Sequence, residues 1–324
     1  MGIRVLVTGA AGLYGLHLVY ALLKHDSVET VVGVDNLSRT FLSPNPVEGL
    51  AGNDRFTFIR ADFRDLSCEA IDQWQVDVVV HLAARVSIDE SMVEPDLYIR
   101  ENELGTIGLG QALLRSRGRP TLIYASSPEV YGKAMYRPID EDHPLNPCSV
   151  YAATKLAAEK HLHALYEWHG YPVVVLRNFN TFGPNQNTDA YAAVIPAFIG
   201  RALRGEPLVI HGDGKQTRDF QWVGDAVGAY VRAIERREAL VGRTINIGSG
   251  REVGILELAQ TVLQLTGSSS PVMHVPARPG DLPALRADVR CAREMLGWQA
   301  ATPFEEGLER TIEWLRGALQ CESS

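Results

Sequence analysis

The sequence predicts an α/β fold, with a doubly wound parallel sheet and a smaller, interleaved C-terminal domain. Three observations support this prediction. Strand-like and helix-like patterns alternate through roughly the first 180 residues, which is typical of a parallel sheet with helices on both faces. A glycine-rich turn joins the first strand to the first helix. After residue 177 the alternation stops and segments rich in Asn, Gly and Pro follow.

Short apolar runs rich in β-branched residues predict the strands of the sheet. They cover residues 4–8, 30–35, 56–60, 76–82, 121–126 and 173–177. Helical patterns lie between them, most clearly at 106–116 and 151–168. The predicted domains are residues 1–177 for the sheet domain and 178–324 for the second domain. A strand at 244–247 is expected to rejoin the main sheet.

The turn after the first strand has the spacing of a dinucleotide-binding loop. Gly9 permits the tight turn, Gly12 lets the backbone approach a pyrophosphate, and Gly15 lets the next helix pack close to the sheet. The helix N-terminus adds partial positive charge for the phosphates. A glycine triplet alone is a weak signal, but this one follows a strand and opens a helix.

Asp35 ends the second predicted strand, 20 residues beyond Gly15. A carboxylate at this register can bind the hydroxyls of an adenosine ribose and repels a 2′-phosphate. The sequence therefore favours NAD over NADP as the cofactor, although Arg39 nearby weakens that preference. The alternative is an ordinary acidic residue at the end of a strand.

Tyr151 and Lys155 are four residues apart in the predicted helix at 151–168, so they share one helix face. A free phenol has a pKa near ~10 and is a poor base at neutral pH. A neighbouring ammonium favours the phenolate, and we expect Lys155 to lower the pKa of Tyr151. Such a pair can take a proton from a sugar hydroxyl while a hydride leaves for a nicotinamide. This spacing of tyrosine and lysine is common by chance, and it indicates a catalytic pair only because the chain also has a matching cofactor loop.

Composition narrows the class of protein. Of the 324 residues, 46% are apolar, which is enough for a substantial core. The formal charge is −8, from 31 basic and 39 acidic residues, and argues against a nucleic-acid partner. We expect neither a membrane span nor a signal peptide. The cysteines at 68, 148, 291 and 321 lack metal-ligand or disulfide-framework spacing, so we expect no metal and a cytoplasmic setting.

These motifs and several others resemble the extended short-chain dehydrogenase/reductase family, and within it the nucleotide-sugar 4-epimerases and 4,6-dehydratases. The resemblance runs from Val5 to Leu315, with the motifs in the family's order, and it implies a Rossmann domain that binds NAD. The further matching segments are Asp35-Asn36-Leu37, Asp62-Phe63, His81-Leu82-Ala83-Ala84, Asn102-Glu103-Leu104-Gly105-Thr106 and Ser126-Ser127-Pro128-Glu129-Val130-Tyr131-Gly132.

The resemblance implies which residues contact NAD. Asp62 and Phe63 would contact adenine, and Asn102 would lie near the active site. The full set is Gly9, Gly12, Leu13, Tyr14, Gly15, Asp35, Asn36, Asp62, Phe63, Leu82, Ala83, Ala84, Asn102, Tyr151 and Lys155. It also gives Ser127 a catalytic role, because a hydroxyl there could bind the sugar O4 and share its proton with Tyr151. Without the resemblance, Ser127 is a strand-end serine that satisfies backbone groups.

A second set of residues is implied for a nucleotide-diphosphate sugar: Ser127, Asn180, Val209, His211, Arg218, Arg278, Asp281 and Leu285. Arg218 and Arg278 suit a diphosphate because arginine donates in a planar fork. Leu285 takes the family's gate position beside the sugar, where it would leave a wider and less polar pocket than tyrosine. Its alternative role is to pack in the core of the smaller domain.

One departure from the family bears on the reaction. The 4,6-dehydratases carry Asp-Glu just after the catalytic hydroxyl, whereas this chain has Pro128 and Glu129. Proline cannot donate a proton, which argues against 4,6-dehydration. Glu129 remains a catalytic candidate for chemistry at C5, as in decarboxylases of sugar uronates, and is otherwise a loop acid.

The sequence therefore predicts an NAD-dependent nucleotide-sugar 4-epimerase that works through a transient 4-keto sugar. The alternatives are a dehydratase or decarboxylase that adds Glu129 to the same C4 oxidation and, more remotely, a non-catalytic dinucleotide sensor. The resemblance also implies a homodimer through a four-helix bundle of helices near 95–117 and 151–168. Leu109, Leu113, Leu162 and Leu165 are candidates for that seam, or they face the subunit's own core.

Overall fold

The computed structural model describes residues 2–38, 46–50, 52–188, 192–278, 280 and 282–322. Arg39 and Asp281, which the sequence analysis singled out, lie outside these residues. The strands are β1 (Ile3–Thr8), β2 (Val28–Asp35), β3 (Phe56–Arg60), β4 (Val78–His81), β5 (Thr121–Ser126), β6 (Val173–Asn178), β7 (Asn180–Phe182), β8 (Leu208–His211), β9 (Thr217–Arg218), β10 (Phe220–Trp222), β11 (Thr244–Ile247), β12 (Val253–Gly254) and β13 (Val272–Val275).

The α-helices are α1 (Leu13–Leu23), α2 (Cys68–Trp74), α3 (Ile88–Val93), α4 (Pro95–Tyr98), α5 (Gly105–Arg115), α6 (Val150–His169), α7 (Val194–Arg204), α8 (Val223–Glu235), α9 (Arg237–Leu240), α10 (Ile255–Thr266) and α11 (Phe304–Glu322). Short 3-10 helices cover Pro46–Leu50, Phe63–Asp65 and Pro128–Tyr131. Two π-helical segments cover Ile99–Leu104 and Ala292–Leu296.

Seven parallel strands form the central sheet, in the order β11-β6-β5-β4-β1-β2-β3. This confirms the predicted doubly wound sheet. The strand order reverses between β1 and β4, and a crevice opens at the carboxyl ends of strands at such a point. The edge strand β11 comes from the C-terminal half and pairs in parallel with β6.

The sheet is buried on both faces because side chains alternate along each strand. Val5 and Val7 of β1 belong to the core beneath α1 and α8, while Leu6 belongs to the core beneath α5 and α6. Leu109, Leu113, Leu162 and Leu165 lie in this second core, so these leucines face their own subunit. Burying each such side chain stabilises the fold by about 1.5–3 kcal/mol.

Helix α6 begins and ends at residues suited to those positions. Ser149 precedes it, and its hydroxyl accepts a hydrogen bond from the Ala152 amide at 3.1 Å. Gly170 follows it with φ of 56°, a left-handed conformation that ends a helix with little strain in glycine. These caps fix which residues of α6 meet the end of the neighbouring strand β5.

The C-terminal half has a core of its own. Helices α7, α10 and α11 enclose a buried cluster that includes Phe198, Leu258 and Ile312, beside the parallel pair β8 and β13. This separate cluster supports a two-domain division near residue 177, which stays a proposal. The short strands β7, β9, β10 and β12 have only two or three residues, too few for a clear sequence pattern, and neither they nor β13 was predicted.

None of the helices that the structure describes combines the length and the apolar composition that crossing a membrane requires.

The turn between β1 and α1 leaves no space for a side chain at Gly15. A Cβ there would lie 2.0 Å from the carbonyl oxygen of Gly9 and 2.7 Å from the Cα of Ala10, both backbone atoms. We expect Gly15→Ala to displace the turn and lower the free energy of unfolding by about 1–3 kcal/mol or more, measured by thermal unfolding. The control is Gly317→Ala in α11, where a Cβ would meet none of the described atoms within 4 Å. Equal melting temperatures for the two variants would contradict this account.

Candidate functional site

The crevice at the carboxyl ends of β1 and β4 is lined by the predicted cofactor segments. Gly9 follows β1 with φ of +71°, and a Cβ there would lie 2.8 Å from the amide nitrogen of Ala83. The Ala83 amide donates in turn to the Thr8 hydroxyl at 3.3 Å. The structure thus brings the glycine turn against the segment Leu82, Ala83 and Ala84 that follows β4.

The start of α1 can receive an anionic group. No side chain of the described residues caps its first turn, which begins at Leu13 and Tyr14. A Cβ at Gly12 would meet only the Gly9 oxygen, at 3.4 Å, among the described atoms. Gly12 therefore leaves space in front of amides that carry partial positive charge, as a pyrophosphate requires.

Asp35 lies at the far side of the glycine turn. Its carboxylate accepts hydrogen bonds from the amides of Ala11 at 3.0 Å and Leu37 at 2.8 Å. Burial raises the pKa of Asp35, and these two amides oppose that rise. The carboxylate is therefore held beside the loop, in the position where a ribose would meet it.

Asn36 and Asp62 meet each other at the ends of β2 and β3. The Asn36 amide donates to Asp62 at 3.0 Å, and the Arg64 guanidinium, which also donates to Asp62, lowers the pKa of that carboxyl to about 2.

The Phe63 ring lies away from the predicted adenine position. It is buried in the sheet core with its centroid 4.8 Å from that of His81, so only its backbone remains to meet an adenine.

His81 ends β4 and is neutral. Burial, with the added effect of the Lys155 charge, lowers its pKa to about 3. The Thr106 hydroxyl donates to the carbonyl of Asn102, so it must accept from Nε2 of His81, at 3.0 Å. Nδ1 of His81 then accepts from the Thr8 hydroxyl at 2.7 Å. One imidazole tautomer therefore satisfies the whole chain of hydrogen bonds.

Asn102 lies in the π-helical segment Ile99–Leu104 and clamps the loop after β4. Its amide oxygen accepts from the Arg85 amide at 2.8 Å, and its Nδ2 donates to the Arg85 carbonyl at 2.9 Å. The same Nδ2 lies 3.4 Å from the Thr154 hydroxyl on α6. Asn102 thus connects the predicted cofactor segment to the helix that carries Tyr151.

The structure brings Tyr151 and Ser127 together at the carboxyl end of β5. The Ser127 hydroxyl accepts from the Glu129 amide at 3.3 Å and lies close enough to the Tyr151 oxygen to influence its pKa. Burial raises the pKa of Tyr151 to about 12, the Ser127 hydroxyl opposes that rise, and the Glu129 charge adds to it. The expected lowering of the Tyr151 pKa is therefore wrong, because desolvation of the phenolate is the largest influence on that pKa.

Lys155 is held below Tyr151, almost fully buried. Its Nζ donates to the Ala125 carbonyl at 2.9 Å and lies 4.9 Å from the centroid of the Tyr124 ring. Burial lowers the pKa of Lys155 to about 7, and the Glu159 carboxylate opposes that fall. The lysine therefore titrates near neutral pH.

Two of the predicted substrate residues present polar groups suited to a diphosphate. The buried Nδ2 of Asn180 has no hydrogen-bond partner among the described residues, which is costly unless a ligand meets it. Arg218 donates to the carbonyls of Thr217 and Leu282 at 2.9 and 2.7 Å.

The remaining predicted substrate residues lie on separate elements of the C-terminal half. Arg278 forms an ion pair of 3.4 Å with Asp89 of α3, and both side chains are more than half exposed. Val209 and His211 lie on β8, beside β13. Leu285 is fully buried with Val130 and Tyr131, in line with core packing rather than an open gate.

Two side chains join α1 to the segment after β6, and sequence reasoning missed both of these contacts. The Tyr14 hydroxyl hydrogen-bonds to the Thr181 hydroxyl, and Nε2 of His17 lies 3.0 Å from the Pro184 carbonyl oxygen. Tyr14 stays a predicted cofactor contact, and its side chain contacts the strand that carries Asn180. The available sequence signal for such a contact was the position of an aromatic residue, Tyr14, between two glycines of the loop.

Comparison with known proteins places this geometry in a family. The model of the NAD dependent epimerase/dehydratase family matches residues 5–248. A UDP-N-acetyl-alpha-D-glucosaminuronate decarboxylase from Bacillus cytotoxicus is 37% identical over 324 residues, covering 97% of this chain and 98% of that protein. A UDP-glucose 4-epimerase from Mycolicibacterium smegmatis is 34% identical over 318 residues, covering 98% of this chain and 100% of that protein.

A solved structure agrees with these matches. The UDP-glucuronic acid 4-epimerase from Bacillus cereus, in complex with UDP-glucuronic acid and NAD, superposes with a TM-score of 0.90 at 31% identity. The alignment covers 98% of this chain and 100% of that one. The chain therefore belongs to the NAD-dependent epimerase/dehydratase family, which confirms the predicted family and its cofactor.

Asp35 provides a test of the cofactor site. We expect Asp35→Ala to weaken NAD binding about 10- to 100-fold, since hydrogen bonds to charged groups contribute about 1.5–3 kcal/mol. The variant should also discriminate less against NADP, because the carboxylate that repels a 2′-phosphate is gone. Isothermal titration calorimetry with both dinucleotides measures the two effects. Asp54→Ala, at an exposed loop before β3, is the matched control, and equal NAD affinity in the two variants would contradict the assignment.

Proposed function

We propose that the chain is an NAD-dependent nucleotide-sugar 4-epimerase acting on a UDP-hexose or UDP-hexuronate through a transient 4-keto sugar. One observation carries this proposal. Tyr151 and Ser127 meet at the carboxyl edge of the sheet, at the end of the same crevice as the glycine turn, and the Ser127 hydroxyl opposes the rise in the pKa of Tyr151. A proton acceptor is thereby placed beside the site of hydride chemistry.

The chain's own residues divide the work at the sugar C4. Bound NAD supplies the hydride acceptor, and later the hydride donor, that oxidation and reduction at C4 need. Tyr151 takes the proton of the C4 hydroxyl and returns it after the 4-keto sugar has rotated in the site to present its other face. Ser127 donates to the phenolic oxygen, holds O4 in reach and passes the proton between them.

Lys155 acts on Tyr151 through its charge. Burial raises the pKa of Tyr151 to about 12, so its phenol needs positive charge nearby before it can act as a base at neutral pH. Lys155 is one turn further along the same face of α6 and supplies that charge only in its ammonium form.

The substrate diphosphate is assigned to Asn180, Arg218 and Arg278. The unpartnered, buried amide of Asn180 supports this assignment, because a phosphate oxygen would satisfy it. Arg278 would exchange its partner Asp89 for the diphosphate, at little cost in an exposed ion pair. The backbone of β8 around Val209 and His211 is assigned to the nucleotide base.

The runner-up is a lyase that uses Glu129. The Glu129 charge is close enough to raise the pKa of Tyr151, so its carboxylate acts on the reacting end of the site. The 37% identity to a decarboxylase also favours this alternative. Pro128 speaks against 4,6-dehydration, because it leaves no acid for the C6 hydroxyl.

Product analysis decides between the two. The protein would be incubated with UDP-glucose, UDP-N-acetylglucosamine and UDP-glucuronate, and the products separated and weighed by mass spectrometry. A C4 epimer of unchanged mass supports the epimerase. Loss of CO₂ or water supports the lyase, and no conversion of any of the three sugars contradicts both for uridine substrates.

Tyr151→Phe tests the proton acceptor. We expect turnover to fall about 10²–10⁴-fold, the range for loss of a general acid–base group, with folding and NAD binding unchanged. Initial rates on the converted sugar measure the effect. Tyr20→Phe removes the same hydroxyl from an exposed helix position and serves as the control. Near-wild-type turnover of Tyr151→Phe would remove Tyr151 from the mechanism.

We further propose a homodimer through the outer face of α5 and α6. The predicted leucines lie in the subunit core, but the opposite face exposes 56% of Leu104 and 86% of Trp168. Trp168 borders a cavity of about 180 Å³ lined by Ile107, Gln111 and Ala164, among others. A two-fold pairing of these helices would cover both apolar side chains.

Sedimentation tests this interface. At micromolar concentration we expect the mass of a dimer for the wild-type chain and of a monomer for Trp168→Glu, because a charge buried in the interface would be unpaired. Met135→Glu changes an equally exposed apolar residue elsewhere, with 76% of its surface exposed, and should stay dimeric. A wild-type monomer, or a dimer that survives Trp168→Glu, would overturn this choice of face.

The cytoplasm remains the proposed compartment. The described cysteines Cys68, Cys148 and Cys291 are free thiols, as a reducing environment would maintain them.

A further inference from the structure

Three polar contacts attach α6 to the end of β5, and one of them has no role in the reaction as described so far. Tyr151 lies beside the Ser127 hydroxyl, and Lys155 donates to the Ala125 carbonyl at 2.9 Å. Glu159 accepts from the hydroxyl of Ser126. The three helix residues are four positions apart, and their partners are three successive residues of the chain. Glu159 therefore occupies the same face of the helix as the catalytic pair.

Glu159 is buried and belongs to an ion pair. Only 1% of its side chain is exposed, and its Oε2 lies 2.7 Å from Nη2 of Arg177, which is itself 5% exposed. Arg177 stands directly beside Ser126 in the pairing of β5 with β6. Its Nη1 donates to the Tyr131 hydroxyl at 2.9 Å, which donates to the amide oxygen of Asn246 at 2.7 Å. The pair thus connects α6 to β6, β11 and the turn after Ser127.

We propose that Glu159, paired with Arg177, is a positioning residue for the reaction at Tyr151: it fixes the end of β5 against α6 and keeps Lys155 in its charged form. This inference rests on the proposed epimerase chemistry for its meaning, and its first measurement does not depend on turnover.

The surroundings of Lys155 make Glu159 the group that can hold its charge. On β4, His81 is neutral, and on β5 Lys155 faces the Tyr124 ring and the Ala125 carbonyl. Arg177 approaches from β6 and forms an ion pair with Glu159. Burial lowers the pKa of Lys155 to about 7 and the Glu159 carboxylate is the charge that opposes this fall. The ammonium is therefore present below that pKa and is lost as the pH rises through it.

Stability alone does not explain a charged pair at this position. A buried ion pair seldom stabilises a fold more than well-packed apolar side chains of the same size. Removing one partner, by contrast, leaves the other as an unpaired buried charge. A carboxylate one helical turn from Lys155 favours the charged form of that lysine, and an apolar pair would have no such effect.

The first test is the titration of Lys155 itself. The chain has five lysines, so ¹³Cε-lysine labelling gives few NMR signals, and Lys155→Met identifies the one from Lys155. We expect Glu159→Gln to move the midpoint of that titration to lower pH by about 1–3 pH units. An unchanged midpoint would overturn the proposal, whatever reaction the protein catalyses. This titration tests the proposal even if the wild-type chain proves to have no epimerase activity.

Kinetics provide the second test. For Glu159→Gln we expect kcat to fall about tenfold or more at neutral pH, with the alkaline limb of the kcat profile displaced to lower pH and KM little changed. The control is Asp72→Asn on α2, which also removes a carboxylate that accepts from a serine hydroxyl, here Ser116 at 2.6 Å. We expect this control variant to leave the alkaline limb of the kcat profile at its wild-type pH.

The double variant Glu159→Gln with Arg177→Gln separates charge from folding. Because it removes both members of the pair, it should regain the melting temperature that the single variant loses. If the proposal is right, both the Lys155 midpoint and the alkaline limb stay displaced in this stable variant. A double variant with the wild-type pH profile would show that Glu159 serves the fold alone and would overturn the proposal.

Discussion

The docking of α6 against the end of β5 is the contact on which the rest of the site depends. The helix is held in the sheet core by Ala158, Leu162 and Leu165, and the small side chain of Ala152 is fully buried near its start. Because a helix turns once in 3.6 residues, this single packing face decides where every fourth residue points. Tyr151 reaches the end of the strand only because the apolar face below it is correctly seated.

Burial sets the charge state of that face. It raises the pKa of Tyr151 to about 12 and lowers that of Lys155 to about 7, so both shifts favour the neutral forms. Burial therefore opposes the pairing of a phenolate with an ammonium at this site. Positive charge must be supplied or retained before Tyr151 can accept a proton, and a buried carboxylate on the same helix is one way to retain it.

The sequence was sufficient for the sheet and for the approximate place of its cofactor crevice. Hydrophobic runs at β1 to β6 and the spacing of Gly9, Gly12 and Gly15 are local signals, and the structure follows them within a few residues. Pairing of β11 with β6 was also visible, as a short apolar strand in an otherwise irregular half. These features depend on residues close together in the chain.

The features that the sequence could not predict depend on contacts between residues far apart in the chain. The pKa of Tyr151 is governed by how deeply α6 is covered, which no four-residue spacing reveals. The ring of Phe63 packs against His81, and Leu285 lies in a cluster with Val130 and Tyr131, because tertiary packing decides which side of a segment faces the cleft. Tyr14 likewise contacts Thr181, far along the chain.

The ion pair of Arg278 and Asp89 bears on how this acidic chain would receive the proposed anionic substrate. Asp89 lies on α3, and Arg278 follows β13, so the pair joins the two halves of the chain. Being more than half exposed on both sides, the pair contributes little to stability, about 0–1 kcal/mol. A diphosphate carries more negative charge than one carboxylate and suits the planar donors of arginine better. Arg278 is thus held by a partner weak enough for the proposed substrate to replace.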